Sequence, residues 1–127
     1  MFDKAKLIAH WLEQARYDMD TAKTLFRGGK YPYCLYFCHL SIEKMLKYHI
    51  VKKSGEHAPK THNLIFLADS TGLTFSEKHK ELLRELNEFN IEARYPEWKS
   101  DFYKRATGEF TEQYMAQTEE LFVWLEK

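Results

Sequence analysis

Residues that interrupt or staple a chain are scarce in this sequence. With 5 Gly and 3 Pro among 127 residues there is little room for long loops, which favours an all-helical fold. Only 2 cysteines are present. Cys34 and Cys38 lie four positions apart on one helix face, with Cβ atoms about 5 to 6 Å apart. That is too far to bridge easily, so they read as reduced packing residues. The six histidines, at positions 10, 39, 49, 57, 62 and 79, show no paired ligand spacing, and no metal is assigned. No apolar run approaches the roughly 20 residues of a membrane span. Met1 to Lys6 alternates charge and apolarity, without the apolar core or cleavage site of a signal peptide. A cytoplasmic protein without membrane contact is therefore expected. Gly28-Gly29 is not followed by the lysine and hydroxyl residue of a P-loop, and no Gly-x-Ser-x-Gly or Ser-His-Asp arrangement stands out.

What is present is helical periodicity with enough apolar material, 44% of residues, to fill the core of one domain over residues 1–127. Ile8, Trp11, Leu12, Ala15, Met19, Ala22, Leu25 and Phe26 recur at helical spacing and predict a first helix from about Asp3 to Phe26, ended by Gly28-Gly29. Asp18 sits at the edge of that stripe, either paired with a lysine at the rim or facing a polar pocket. A second helix opens after Tyr31, with Pro32 in its first turn, and runs to about Lys53. Its first half, with Tyr33, Cys34, Leu35, Tyr36, Phe37, Cys38, Leu40 and Ile42, is apolar on all sides and must be surrounded by protein. A bundle of short helices struggles to cover it, so a homodimer is expected. The second half reads as amphipathic, with Met45, Leu46, His49 and Ile50 inward and Lys44, Lys47, Lys52 and Lys53 toward solvent. Thr61 is the expected cap of a short helix from His62 to about Ser70. Thr74 with Glu77 has the capping-box spacing for a fourth helix through about Ala93, with Leu82, Leu83, Leu86, Phe89 and Ile91 inward. Pro96 stops that helix, a mixed aromatic segment follows from Tyr95 to Tyr103, and a final helix spans about Glu109 to Glu126.

The net charge is zero, yet the charges are unevenly placed. Lys44 to His62 carries five lysines against Glu56 alone, while Glu109 to Lys127 carries five glutamates against one lysine. A local positive face can steer phosphates, although it is small beside the basic domains of dedicated nucleic-acid binders. Glu43 and Lys47 form an i,i+4 pair, read as a surface ion pair. His62, opening a helix where backbone N–H groups favour anions, is a candidate phosphate ligand or proton shuttle. Arg94 is followed by Tyr95-Pro96, which forces an extended exit and holds a planar fork at a fixed corner, suited to phosphate or carboxylate.

Four segments taken in order carry a resemblance: Gln14 to Ala22, Ser41 to Lys47, Pro59 to Leu64, and Asn90 to Pro96. Together they resemble the HEPN family of small helical domains, named for suspected nucleotide binding. The resemblance implies an all-α, up-and-down bundle of four to five helices, usually homodimeric. It also implies kinship with ribonucleases of toxin-antitoxin or defence systems, many paired with a minimal nucleotidyltransferase. In the ribonuclease members an arginine is followed a few residues later by a histidine at the dimer cleft. Here Arg94 matches the arginine, but Lys99, Ser100 and Asp101 stand where the histidine would be. Tyr103 stands two residues after Asp101, as a tyrosine follows the histidine in some members. Aspartate cannot replace a cationic proton donor at neutral pH without a large pKa shift, which argues against metal-independent ribonuclease activity. The favoured expectation is a noncatalytic module that binds a nucleotide or RNA phosphate and acts with a minimal nucleotidyltransferase. Its candidate ligand-binding residues are Arg94, His62, Lys47, Lys60, Asp18, Glu43 and Tyr95, and no cofactor is assigned. Two alternatives stay open. One is a degenerate ribonuclease toxin using Arg94, His62 and Asp18; the other is a purely structural dimerisation or interaction module.

Overall fold

The computed structural model describes residues 2–127, the side chain of Pro96 excepted; Met1, part of the leader reading above, lies outside the described residues. Six helices and no strand are found among them: α1 (Lys4–Arg27), α2 (Tyr31–Ser54), α3 (Leu64–Thr71), α4 (Glu77–Arg94), α5 (Pro96–Arg105) and α6 (Gly108–Glu126). The expected all-α bundle is thus present, with one helix more than the periodicity suggested. The addition is α5, in the segment read as irregular. Pro96 does end α4, but it also occupies the first turn of α5, where its missing N–H and fixed φ cost nothing.

Most helices start on a side-chain oxygen where the local sequence offers one. Asp3 accepts from the Lys6 N–H at 3.1 Å, Ser76 from His79, and Thr107 from Phe110. Two expected caps are displaced. Asn63, not Thr61, caps α3, accepting from the Ile65 and Phe66 N–H groups, while the Thr61 hydroxyl accepts from the Asn63 N–H in the preceding turn. Ser76 replaces Thr74 at the start of α4 because Glu77 is already the first helical residue. Gly55 and Gly72 close α2 and α3 at φ of +75° and +79°, the left-handed conformation that a Cβ penalises.

The second helix is the axis of the molecule. α1 lies along it as a hairpin partner, and α3, α4, α5 and α6 all pack on it as well. Cys34, Leu35, Cys38, Ile42, Met45 and Leu46 are fully inaccessible within one chain, so these neighbours cover most of the apolar girth that suggested a subunit interface. What remains open of its first half is Tyr33, with Tyr36, Phe37 and Leu40 half-buried. Ile91, expected inward, is 39% exposed, one turn before the end of α4. No helix among the described residues is long and apolar enough to cross a membrane.

Candidate functional site

A polar stripe runs through the otherwise apolar α2 at i, i+4 and i+8: His39, Glu43 and Lys47. All three side chains are buried. Burying such groups is tolerable only when each is paired or hydrogen-bonded, and here the partners are specific. Lys47 Nζ donates to Glu43 Oε2 at 3.0 Å and lies 5.4 Å from the centroid of the Trp11 ring. His62 Nδ1 donates to the other carboxylate oxygen, Oε1, at 2.9 Å. The His39 ring donates from Nε2 to the His62 carbonyl at 2.9 Å. One loop residue is therefore held twice, by its side chain and by its backbone.

The His39 tautomer follows from that geometry. A carbonyl partner requires the proton on Nε2, which leaves Nδ1 a bare acceptor 3.7 Å from Glu43 Oε1 and without a hydrogen-bond partner. Burial pushes the His39 pKa down to about 4, against the pull of Glu43, and the Arg94 charge lowers it further. The ring is neutral at physiological pH.

Two expectations about this stripe are corrected. Lys47, placed toward solvent from its type, is 8% exposed, and its pair with Glu43 is a buried contact, not a surface one. Lysine's aliphatic stem accounts for the error: it packs along the core while Glu43 and the Trp11 face replace water around the ammonium. Lys44, also placed in solvent, is half-buried, with Nζ 2.6 Å from Asp18 Oδ2. Asp18 does pair with a lysine, but at 5% exposure it is a buried residue and not a rim one.

The remaining candidates are on the surface. The side chain of His62 is 57% exposed, so its ring opens to solvent beyond the Glu43 contact. Lys60 and Arg94 are exposed, and neither pairs with a carboxylate among the described residues. Two carboxylates of this region are already engaged, Glu43 by Lys47 and His62, and Glu92 by Arg105. The Arg94 guanidinium instead sits 5.6 Å from the ring centroid of Tyr95, itself 43% exposed. Asn87, Asn90 and Arg94 follow one another at i, i+3 and i+7 on α4. Asn87 accepts from the Leu64 N–H and donates to the Asn63 side chain, tying α4 to the start of α3. Arg94 is near enough to His39 for its charge to act there. Through Asn87 and the His39–His62 hydrogen bond, α4 and the His62 loop meet beside α2, and no direct Arg94–His62 contact is found among the described residues. His39, Lys44 and Trp11 escaped notice as polar-site residues; the i,i+4 repeat of His39 with Glu43 was the available signal.

Beside this corner lies an open aromatic surface. Tyr33, Tyr95, Trp98 and Tyr103 are 41–49% exposed. The Tyr33 and Tyr103 rings meet edge to face with centroids 6.1 Å apart; the neighbouring Tyr103 hydroxyl and the Lys99 charge lower the Tyr33 pKa, while Tyr33 and burial push that of Tyr103 up to about 12. No group of three His, Cys, Asp or Glu side chains among the described residues is arranged to hold a metal ion.

Known proteins give three findings. The crystal structure of TT1696 from Thermus thermophilus has the same fold, with a TM-score of 0.80 at 20% sequence identity over 94% of this chain and 95% of that one. No curated protein matches the sequence. The HEPN domain matches residues 8–127, a span that takes in all six helices save the first turn of α1 and contains the Arg94 corner, the His62 loop and the α2 stripe. The chain belongs to the HEPN family.

Proposed function

We propose that this chain is a HEPN module that binds a nucleotide or RNA phosphate at the corner formed by Arg94, His62, Lys60 and Tyr95, and that it acts together with a minimal nucleotidyltransferase. The observation that carries this reading is Arg94: an exposed guanidinium that no carboxylate of the described residues neutralises, on the helix that Asn87 ties to the chain next to the exposed His62. A fork with its donors free favours a doubly accepting anion, and phosphate is the commonest such group on nucleotides. Lys47, Glu43 and Asp18 then act from behind. Their charges are already paired in the interior, so Glu43 orients His62 and Lys47 neutralises Glu43, rather than either touching the ligand.

A thermal-shift series tests the proposal, with ATP, GTP, other nucleotides and short RNAs added to the wild type, Arg94→Ala and His62→Ala. Stabilisation by one ligand that both substitutions remove is the expected result. No shift with any ligand sinks it. The partnership is tested by co-purification with a minimal nucleotidyltransferase, and absence of a complex at micromolar concentrations counts against that half.

A second reading, a dimerisation module, is favoured by the exposed surface of Tyr33, Ile91, Tyr95, Trp98 and Tyr103. Tyr33 adjoins Tyr103 and Tyr95 adjoins Trp98, and exposed aromatic surface of this kind commonly marks an interface. The homodimer expected from α2 is therefore better assigned to the α4–α5 end. Light scattering on Trp98→Glu against the wild type decides it: a dimer that becomes a monomer supports this face, and a wild-type monomer rejects it.

A further inference from the structure

On a different flank of α2 from the polar stripe, three sulfur atoms converge. Cys34 Sγ lies 3.6 Å from Met115 Sδ, and Cys38 Sγ lies 3.8 Å from the same atom. The two cysteines stand one helical turn apart on the same face of α2, so both thiols reach the one thioether. Both cysteines are free and wholly inaccessible. Met115, on α6, is 5% exposed and helps line a surface groove of 430 Å³ with Lys23, Arg27, Glu112 and Glu119. The Thr118 hydroxyl, one turn further along α6, is buried without a hydrogen-bond partner and adjoins Cys38.

A metal bound in a trigonal plane about 2.3 Å from each of three sulfurs holds them roughly 4 Å apart. The thiol–thioether separations here are close to that before any metal enters. Thiolate and thioether donors select soft ions, and Cu(I) is the biological ion of that kind that is content with few ligands. Zinc normally requires a fourth ligand, and no third His, Cys, Asp or Glu among the described residues completes such a set.

We propose that Cys34, Cys38 and Met115 form a binding site for one Cu(I) ion, entered through the groove in which Met115 lies. Binding replaces two S–H bonds with two metal–thiolate bonds, releases two protons, and adds one thioether lone pair. Copper enters and stays as Cu(I), so no electron is transferred. The two thiolates exceed the ion by one negative charge, and the groove beside them is lined by two cations, Lys23 and Arg27, and two carboxylates, Glu112 and Glu119. The site is independent of the phosphate corner, with which it shares no residue.

The test is an anaerobic titration of the reduced full chain with Cu(I) presented by a chromophoric chelator, with Ag(I) as a second soft probe and Zn(II) as the control. The expected result is withdrawal of one Cu(I) per chain, a raised melting temperature, and no Zn(II) uptake. Cys38→Ser abolishes binding, and Met115→Leu weakens it at least tenfold. Should Cys38→Ser fail to fold by circular dichroism, Met115→Leu decides alone, because it keeps the side-chain volume. Failure of the wild type to withdraw copper overturns the proposal, as does undiminished binding by Met115→Leu.

Discussion

Cys34 and Cys38 face Met115 on one flank of α2, while His39, Glu43 and Lys47 face α1 and the His62 loop on another, and both sets are inaccessible or nearly so. The sulfur flank is held by dispersion and weak thiol contacts, so losing one atom there costs only local packing. The polar flank is held by mutual compensation. Each charged group is tolerable because the next is present, and no member can be removed singly without stranding another. The same helix therefore carries one flank that is forgiving and one that is not. The unforgiving flank is the one behind the exposed corner at Arg94.

The largest effect expected from this contrast is at Glu43. Glu43→Ala leaves Lys47 buried without a counter-ion and frees the His62 ring, at a cost of about 3 to 5 kcal/mol in urea unfolding. The double variant Glu43→Leu/Lys47→Met, which removes both charges and keeps apolar volume, is expected to recover most of that loss. A single-variant cost under about 1 kcal/mol would mean that water reaches the pair, and the contrast between the flanks would vanish.

A second test uses pH. The His39 pKa is lowered from 6.5 to about 4 in the folded chain, chiefly by burial. The unfolded chain thus takes up this proton first as pH falls, so the contribution is fully present above about pH 6.5 and lost toward pH 4. The lost term is roughly 3 kcal/mol. Burial lowers the His49 pKa as well, which adds in the same direction. In His39→Gln the decline in stability between pH 7.5 and pH 4.5 should be shallower than in the wild type by an amount of this order. Parallel curves for the two proteins would show that His39 gains its proton as easily folded as unfolded.

Much of this arrangement is legible in the sequence, for reasons that also explain the omissions. The helices follow from spacing and from residues such as Asp3, Gly28 and Gly72, because local hydrogen bonding and apolar periodicity are written locally. α5 is hidden because proline and clustered aromatics mark both chain breaks and first turns. The burial of Lys47 is hidden because a lysine's type says where it usually sits, whereas its position is set by Trp11 on another helix. The approach of Arg94 to His39 depends on which helices lie against α2, and no periodicity encodes that order.

On the forgiving flank, Met115→Leu in the metal-free protein should cost less than about 1.5 kcal/mol, since the change conserves volume and leaves no charge unpaired. A loss comparable to that of Glu43→Ala would show that the sulfur contacts are as interdependent as the ion pairs.

The smallest effect on stability belongs to the residue on which the proposed function depends most. Arg94 is exposed and has no carboxylate partner among the described residues, so Arg94→Ala should change the unfolding free energy by no more than about 0.5 kcal/mol. The same substitution is expected to remove any stabilisation conferred by a phosphate ligand. Scaffold residues behave in the opposite sense: Glu43→Ala should lower both stability and ligand response, because His62 loses its support. Urea curves and ligand thermal shifts on the two variants therefore separate a binding group from a supporting one. If Arg94→Ala destabilises the chain by about 2 kcal/mol or more, the guanidinium is holding the bundle together, and a structural role for that corner replaces phosphate recognition.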